Sequence, residues 1–470
     1  MIRDVRTPLD DASPTRASWE ERREFGRSLR SVAPRSSHAA WSPWSGRRDP
    51  IDVLEEQADS READLVPIRY GRMAQSPFTY LRGSAAVMAM DLATTPVSGI
   101  RVQACGDAHV NNFGKFATPE RNIVFDINDF DETLPAPWEW DLKRLCVSLH
   151  VVARMRGISR SRTATIVGTA ARTYRERLRR AAHATALELW YERIDVDHML
   201  REFPESYRPR LRKDLEKARR KDHSRALSRL TEQVEATTRF RDDPPLLVHL
   251  DDTDIGRDGR GMEDVLSMIE QYRLSLAEDR RDLFDRFRVV DVARKVVGVG
   301  SVGTRCWVVL FEGPDRPGGD HIVLQVKEAQ RSVLEPYAGP PTQGHDGMRV
   351  VVGQRLTQAA SDLFLGWCEG PRTGRQYYVR QLWDVKGQSD VLRMGAADLR
   401  YYGSVCAWAL ARAHARTGDA TQLAGYLGRN DRVDRALVAF SEAYARQNAE
   451  DHEALVRAIE RGRVQALLPD

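Results

Sequence analysis

The sequence predicts an α+β protein in two lobes, one mainly helical and one rich in β-strand. Three observations predict it. At 470 residues the chain is too long for one ordinary core. Apolar residues recur at three-and-four spacing through 160–235, and another amphipathic run fills 396–418. Between them, past a Pro- and Asp-rich stretch at 242–261, the texture changes to short runs of Val, Ile, Phe and Trp bounded by Gly.

In chain order, residues 1–60 are rich in Arg, Ser, Pro and Asp and read as a flexible arm with one polar helix over WEERREFGRSLR. A solvated tail is the simpler reading of this arm, ahead of nucleic-acid contact. Order is expected from near Leu65. SPFTYLRG (76–83) reads as a strand and SAAVMAMDLA (84–93) as a short buried helix. RVQACGDAHVNNFG (101–114) is a strand running into a polar loop, and RNIVFDIND (121–129) is a second strand. Pro137 then precedes a helix in WEWDLKRLCVSLHVVARMRG. RPRLRKDLEKARRKDHSRALSRL is basic, but its interleaved acids make a solvated helical face the simpler reading. Beyond 261, RVVDVARKVVGVG, TRCWVVLFEG and HIVLQVKEA form a strand meander with GPDRPGGD (313–320) as a hairpin loop. MRVVVGQRLTQAASDLFLG (348–366) reads as helix and RQYYVRQLWDV (375–385) as strand. AADLRYYGSVCAWALARAHARTG (396–418) is an amphipathic helix with Gly418 just past its end, and two helices follow. The expected organisation is an arm (1–60), a helical large lobe (61–245), a linker and helix (246–285), a small β-rich lobe (286–390) and C-terminal helices completing the large lobe (391–470).

Composition narrows the function classes. The 72 basic and 68 acidic residues leave a net charge of only +4, so bulk charge does not suggest a nucleic-acid partner. The bias of 64 Arg to 8 Lys fits a GC-rich coding background better than a binding surface. No apolar run reaches the length needed to span a bilayer, and the N-terminus lacks a signal-peptide core. Five cysteines (105, 146, 306, 368, 406) lie far apart without a CxxC. A soluble, reducing, cytoplasmic setting is expected.

Two constellations carry chemistry. The first, CGDAHVNNFG (105–114) with VFDINDFDE (124–132), gathers five carboxylates, two adjacent Asn and His109 beside apolar strands. Clustered carboxylates repel one another unless a proton or a cation intervenes. Asp and Asn oxygens suit a hard cation such as Mg2+, which also takes substrate phosphates. An Asp in a loop, an Asn five residues on and a later Asp past a hairpin is the arrangement by which kinases hold acceptor hydroxyl and metal. Asp107, Asn112 and either Asp126 or Asp129 fit it, with His109 shaping the loop and Asp131 in support. An Asx-rich turn that merely caps backbone groups is the plain alternative.

The second is VVGVGSVGTRCWVVLFEG (296–313). Here Gly298, Gly300, Ser301 and Gly303 lead into a strand, not a helix, so the segment suits a hairpin flap covering phosphates with backbone N–H groups. The next strand ends in Lys327, whose charge among apolar residues needs a counter-ion such as phosphate. A kinase's following helix supplies a Glu to that Lys. Glu335 is the nearest candidate beyond Glu328; the stronger helix offers Gln354 but no Glu.

Through LVPIRYGRM, SPFTYLRG, CGDAHVNNFG, VFDINDFDETLPAPWEWDLKRL, VVGVGSVGT, LQVKEA, QRLTQAASDLFLGW and CAWALARAHARTGD the sequence resembles DUF2252, a family of uncharacterised bacterial proteins. The resemblance runs from about Leu65 to the C-terminus. It implies kinship with the protein-kinase-like, aminoglycoside-phosphotransferase-like superfamily, because GDAHVNN looks like that superfamily's GDxHxxN loop. DFDETLPAPWEWDLKRL likewise looks like its metal Asp followed by the Asp-Leu pair that opens a helix. Counting from Asn112 favours Asp126 as the metal Asp; counting back from Asp141 favours Asp129. The flap and Lys327 follow the catalytic loop instead of preceding it, so the implied fold is a circularly permuted two-lobed kinase-like one.

The expected function is an ATP- and Mg2+-dependent phosphotransferase. Lys327 and the flap hold the nucleotide, Asn112 with Asp126 or Asp129 holds metal, and Asp107 orients the acceptor. Alternatives are nucleotidyl transfer, a catalytically inactive nucleotide-binding module, and a metal-dependent phosphoesterase, which would need further ligand histidines than the scattered ones present. The acceptor, a small molecule or a protein, has no motif; the helical insert at 150–240 is a candidate place for it. No membrane partner is expected.

Overall fold

The computed structural model describes residues 17–202, 230–234, 237–249, 261–296, 302–315, 319–382 and 389–467, with single residues between them, Gly298 and Gly300 among these. Ser301 and most of the basic stretch at 208–230 lie outside the described residues. About half of the chain is helical, and the strands form several small sheets, none of them a barrel among the described residues.

Residues 17–60, expected as a flexible arm, pack as structure. Helices Trp19–Ser28 and Pro50–Ala58 flank a segment in which His38 is buried against the Tyr426 hydroxyl at 2.6 Å. Arg23, Arg27 and Arg48 are exposed, but three other arginines of the segment are structural. Arg30 donates to the Tyr426 carbonyl and Arg35 to the Leu427 carbonyl, satisfying free C=O groups at the end of helix Ala420–Leu427. Arg47 bridges Asp91 at 2.9 Å and Asp451 at 2.6 Å. Side chains that looked solvated by composition are consumed as caps and buried pairs.

Helices Val66–Ala74, Pro77–Gly83 and Ala85–Leu92 follow. The second corrects the strand expected at 76–83. The Ser76 side chain accepts from Thr79 N–H and Pro77 occupies the first turn, so capping outweighs aromatic content. Then come β1 (Arg101–Ala104), β2 (Phe113–Ala117), β3 (Ile123–Ile127) and β4 (Leu134–Pro137), with β1 paired to β4 and β2 to β3. Helix Trp138–Met155 starts directly after Pro137, and Arg160–Ala181, Ala186–Tyr191 and Val196–Glu202 succeed it. The helical expectation over 160–235 fails at its end, where β5 (Thr231–Val234) pairs with β6 (Thr237–Phe240) as a hairpin.

The strand-rich part is one antiparallel sheet. Its order is β11 (Gly366–Glu369), β12 (Gln376–Gln381), β10 (His321–Glu328), β9 (Cys306–Glu312), β8 (Arg288–Lys295) and β7 (Leu247–His249). The predicted meander is its centre. The strands β7 and β11 were not anticipated; the helix expected to reach 366 ends at Thr357, and turns lead from it into β11. Strand alternation splits β10 between two faces. Leu324 and Val326 join Tyr272, Val309 and Phe311 beneath helix Gly261–Ser275, while Val323, Gln325 and Lys327 face the other way. Helices Ala396–Thr417, Ala420–Leu427 and Arg432–Glu460 return to the helical core as expected.

The β2–β3 hairpin is anchored to that core by Arg412, which donates to both Asp126 oxygens (2.7 and 2.6 Å) and to the Thr357 carbonyl at 2.8 Å. Both partners are inaccessible to solvent. Removing one member of such a pair strands a buried charge. Arg412→Met is expected to lower stability in urea denaturation by about 3–5 kcal/mol. A loss under about 1 kcal/mol, the range of exposed pairs, would show that Asp126 is solvated after all.

Candidate functional site

The polar loop expected after β1 is built by a fixed set of backbone contacts. Asp141, in the first turn of helix Trp138–Met155, accepts from Cys105 N–H at 2.7 Å and Gly106 N–H at 2.9 Å. His414 stands 3.2 Å behind it, steadied by the Tyr174 hydroxyl. Gly106 has φ +81°, and a Cβ there would lie 2.3 Å from the Glu132 carbonyl, so the loop and the DFDE turn touch through a glycine. Asp107 emerges from this turn. Its carboxylate receives Arg144 Nε and lies 3.6 Å from His109 Nε2, while its carbonyl accepts from Asn112 Nδ2 at 2.6 Å. Arg144 is itself fixed by the Leu81 carbonyl.

Burial raises the Asp107 pKa, and Arg144 and Arg82 pull against it. His109 is kept neutral by burial and by the nearby Arg82 and Arg144 charges.

Across a cleft from this loop, Lys327 projects from β10. It forms an ion pair with Asp131, whose other oxygen accepts from the Tyr378 hydroxyl at 2.7 Å. Burial opposes both charges. Lys327 nevertheless sits above its ordinary value because Asp131 lies against it, and Asp131 falls below its own because of Lys327. Asp129 is raised, first by burial and then by Asp131, and its Oδ1 is buried without a hydrogen-bond partner. Glu132 is pushed up to about 7, chiefly by burial, although it accepts from Val333 N–H at 2.7 Å.

The cleft has a volume of about 120 Å³ and is lined by Asp107, His109, Asn112, Asp129, Asp131, Gly298, Gly300 and Lys327 together with Arg61, Arg82, Glu132, Gln325 and Arg380. A hollow of about 870 Å³ lies on the opposite sheet face beneath helix Gly261–Ser275, with a largely apolar floor including Trp307, Leu324 and Val326. Charged groups such as Arg294, Arg305 and Arg375 line the larger hollow too, but the carboxylates of 107–132 and Lys327 meet at the smaller one.

Three of the expected site residues fall elsewhere. Asp126 is consumed by Arg412 and by the N–H groups of Ile127 and Ala359, and it does not line the cleft. Glu335 opens the short helix Glu335–Ala338 and is not the partner of Lys327; Asp131 is. Gly303, at φ +87°, packs on Arg61 and passes its carbonyl to Glu62 N–H at 2.8 Å.

Helix Asp346–Thr357, which offers Gln354 but no Glu, supplies Arg349. This buried side chain donates to the carbonyls of Asp131, Thr133 and Gln330.

The arginines were not anticipated. For Arg380 a signal existed: Gln325 and Lys327 alternate on β10, facing Arg380 and Tyr378 on β12, so one face of two neighbouring strands is polar at every second position. Arg61, Arg82, Arg144 and Arg349 had no such pattern, since each reaches the site from a separate helix or turn.

For a divalent cation the fitting donors are Asp129, through its unpartnered oxygen, and Asn112. Among the described residues no group of three His, Cys, Asp or Glu side chains forms a preformed cage. Magnesium commonly takes only one or two carboxylates and completes its shell with water and phosphate oxygens.

Among the described residues no helix is long and apolar enough to cross a membrane. No curated protein matches the chain, and no solved structure does. The sequence profile described as "Uncharacterized protein conserved in bacteria (DUF2252)" matches residues 61–458, and the chain belongs to that family.

Proposed function

We propose that this protein is an ATP- and Mg2+-dependent phosphotransferase with a circularly permuted, two-lobed kinase-like fold. The observation that carries the reading is convergence. Asp107, Asn112 and Asp129 from one end of the chain meet Gly298, Gly300 and Lys327 from far downstream around one cleft. Chance clustering of a loop Asp, an Asn, a second Asp, a glycine hairpin and a strand Lys is a poor account of so specific a set.

In this reading Lys327 and Arg380 hold the nucleotide phosphates from the sheet side, and the flap glycines cover them with backbone N–H groups. Asn112 and Asp129 hold magnesium, which when bound neutralises charge on the phosphate oxygens. Asp107 accepts a hydrogen bond from the acceptor hydroxyl and orients its lone pair toward phosphorus. The acceptor O–P bond forms as the bond from phosphorus to the ADP oxygen breaks, the electron pair leaves on ADP, and the acceptor proton passes to Asp107. Asp131 holds Lys327 charged and in place until phosphate arrives. A cavity of about 120 Å³ is below the roughly 300 Å³ of ordinary ligand sites, so the cleft must widen to admit a nucleotide.

A second reading, a nucleotide-binding module without turnover, is favoured by one feature: Asp107 is already engaged by Arg144.

Titration calorimetry of ATP with and without magnesium tests the assignment. Wild type is expected to bind only with magnesium, and Lys327→Ala to bind at least about tenfold more weakly. A well-folded wild type that binds no ATP overturns the nucleotide assignment. Asp107→Ala separates the two readings. With an acceptor found by screening, ADP formation should fall by about 10²–10⁴ while ATP affinity holds. Turnover equal to wild type would remove Asp107 from the chemistry.

A further inference from the structure

Arg82 ends helix Pro77–Gly83 and lines the cleft wall opposite the sheet. The other three cations of the cleft are engaged. Lys327 has Asp131, Arg61 donates to the Gly300 and Val302 carbonyls, and Arg380 donates to Gln325 Oε1 at 2.9 Å. Arg82 differs. Among the described residues nothing accepts a hydrogen bond from its guanidinium, and its Nε is buried without a partner. The side chain is half-buried, and its terminal nitrogens, which make no hydrogen bond, stay open to the cleft, so the fork is free to meet an anion there.

Its surroundings say which anion. The carboxylates that act on Arg82 are Asp107 and Asp129, neither of them within ion-pair distance. In the reading above these are the acceptor-orienting and metal-holding groups, so a phosphoryl group in transfer crosses the space between them. The flap tip closes the same space: a Cβ on Gly300 would stand 3.2 Å from the Arg82 carbonyl.

We propose that Arg82 is a catalytic residue that binds the terminal phosphoryl group of the nucleotide as it passes from the Asp129 side of the cleft to the acceptor held by Asp107. The proposal rests on the phosphotransferase reading. Arg82 gives up no proton; its planar fork donates to two phosphoryl oxygens. Those contacts strengthen as the phosphoryl group loosens from ADP, which is the differential stabilisation that lowers a barrier. Its partner is the terminal phosphate, since the inner phosphates belong to Lys327 on the sheet wall.

Calorimetry with magnesium, using ADP and the non-hydrolysable triphosphate AMP-PNP, tests this without a known acceptor. Wild type is expected to prefer the triphosphate. Arg82→Ala should lose about tenfold in AMP-PNP affinity with ADP affinity unchanged. Arg82→Lys, which keeps the charge and loses the fork, should lie between, and it carries the test if the alanine variant fails to fold. A triphosphate preference that survives in Arg82→Ala overturns the proposal and leaves an acceptor's own anion as the partner of the guanidinium. Equal loss of ADP and AMP-PNP affinity in a folded variant overturns it as well, since Arg82 would then act as general support. Wild type that binds neither nucleotide fails at the earlier step and overturns the nucleotide reading and this proposal together.

Discussion

The pairing of Lys327 with Asp131 is the constraint on which the cleft depends. Pleating places Val323, Gln325 and Lys327 on one face of β10, and Lys327 is buried to 2% exposure at the wall of the cleft. Unpaired there it would discharge; Asp131 keeps it charged. The arrangement serves Asp131 too, because Asp129 two residues away would otherwise repel it. Tyr378 fixes the carboxylate and Arg349 fixes its backbone carbonyl, so the DFDE turn has one orientation relative to the sheet. Separating such a pair costs about 3–5 kcal/mol, a large share of the roughly 5–15 kcal/mol that holds a domain together. Two segments 196 residues apart are thereby held as one site.

That long-range pair joins two walls that come from distant parts of the chain. A cleft is indifferent to which wall is synthesised first, provided both walls present the same groups. The loop wall comes from β1 to β4 and helix Trp138–Met155, and the sheet wall from β8 to β12. Helix Ala396–Thr417 then returns to the loop wall, where Arg412 and His414 support Asp126 and Asp141 from behind. The loop wall is thus backed by residues read from the chain nearly three hundred positions later. The connection through β12 to this helix closes the helical lobe after the sheet has been built.

Much of this was legible in the sequence because it is written locally. The strand meander at 288–328, the helix opening after Pro137 and the loop at 105–114 each carry their own periodicity or turn chemistry. Lys327 was legible because a cation in an apolar strand violates a local rule. What failed was non-local. Arg30, Arg35 and Arg47 look solvated in a segment of low hydrophobicity, and only the free carbonyls of Tyr426 and Leu427 and the carboxylates of Asp91 and Asp451 make them structural. Ser76–Gly83 was misread because capping by Ser76 and Pro77 outweighed three aromatic or β-branched residues. Between Asp126 and Asp129 spacing gave no decision; Arg412, which arrives from a distant helix, takes Asp126 out of the cleft.

Residues 60–64, at and just past the end of the expected arm, hold the loop between β8 and β9. Ser60, Arg61 and Glu62 lie along it: Arg61 donates to the carbonyls of Gly300 and Val302, Glu62 N–H to Gly303, and the Ser60 carbonyl accepts from Arg305. Arg294 adds contacts to Glu62 and Asp64. Each of these bonds is worth about 1 kcal/mol net, because the freed groups would be taken up by water, and the two outer ion pairs contribute less. The carbonyls that Arg61 holds belong to the loop between β8 and β9, so residues 60–64 fix Gly300 and Gly303 relative to the helical part of the chain.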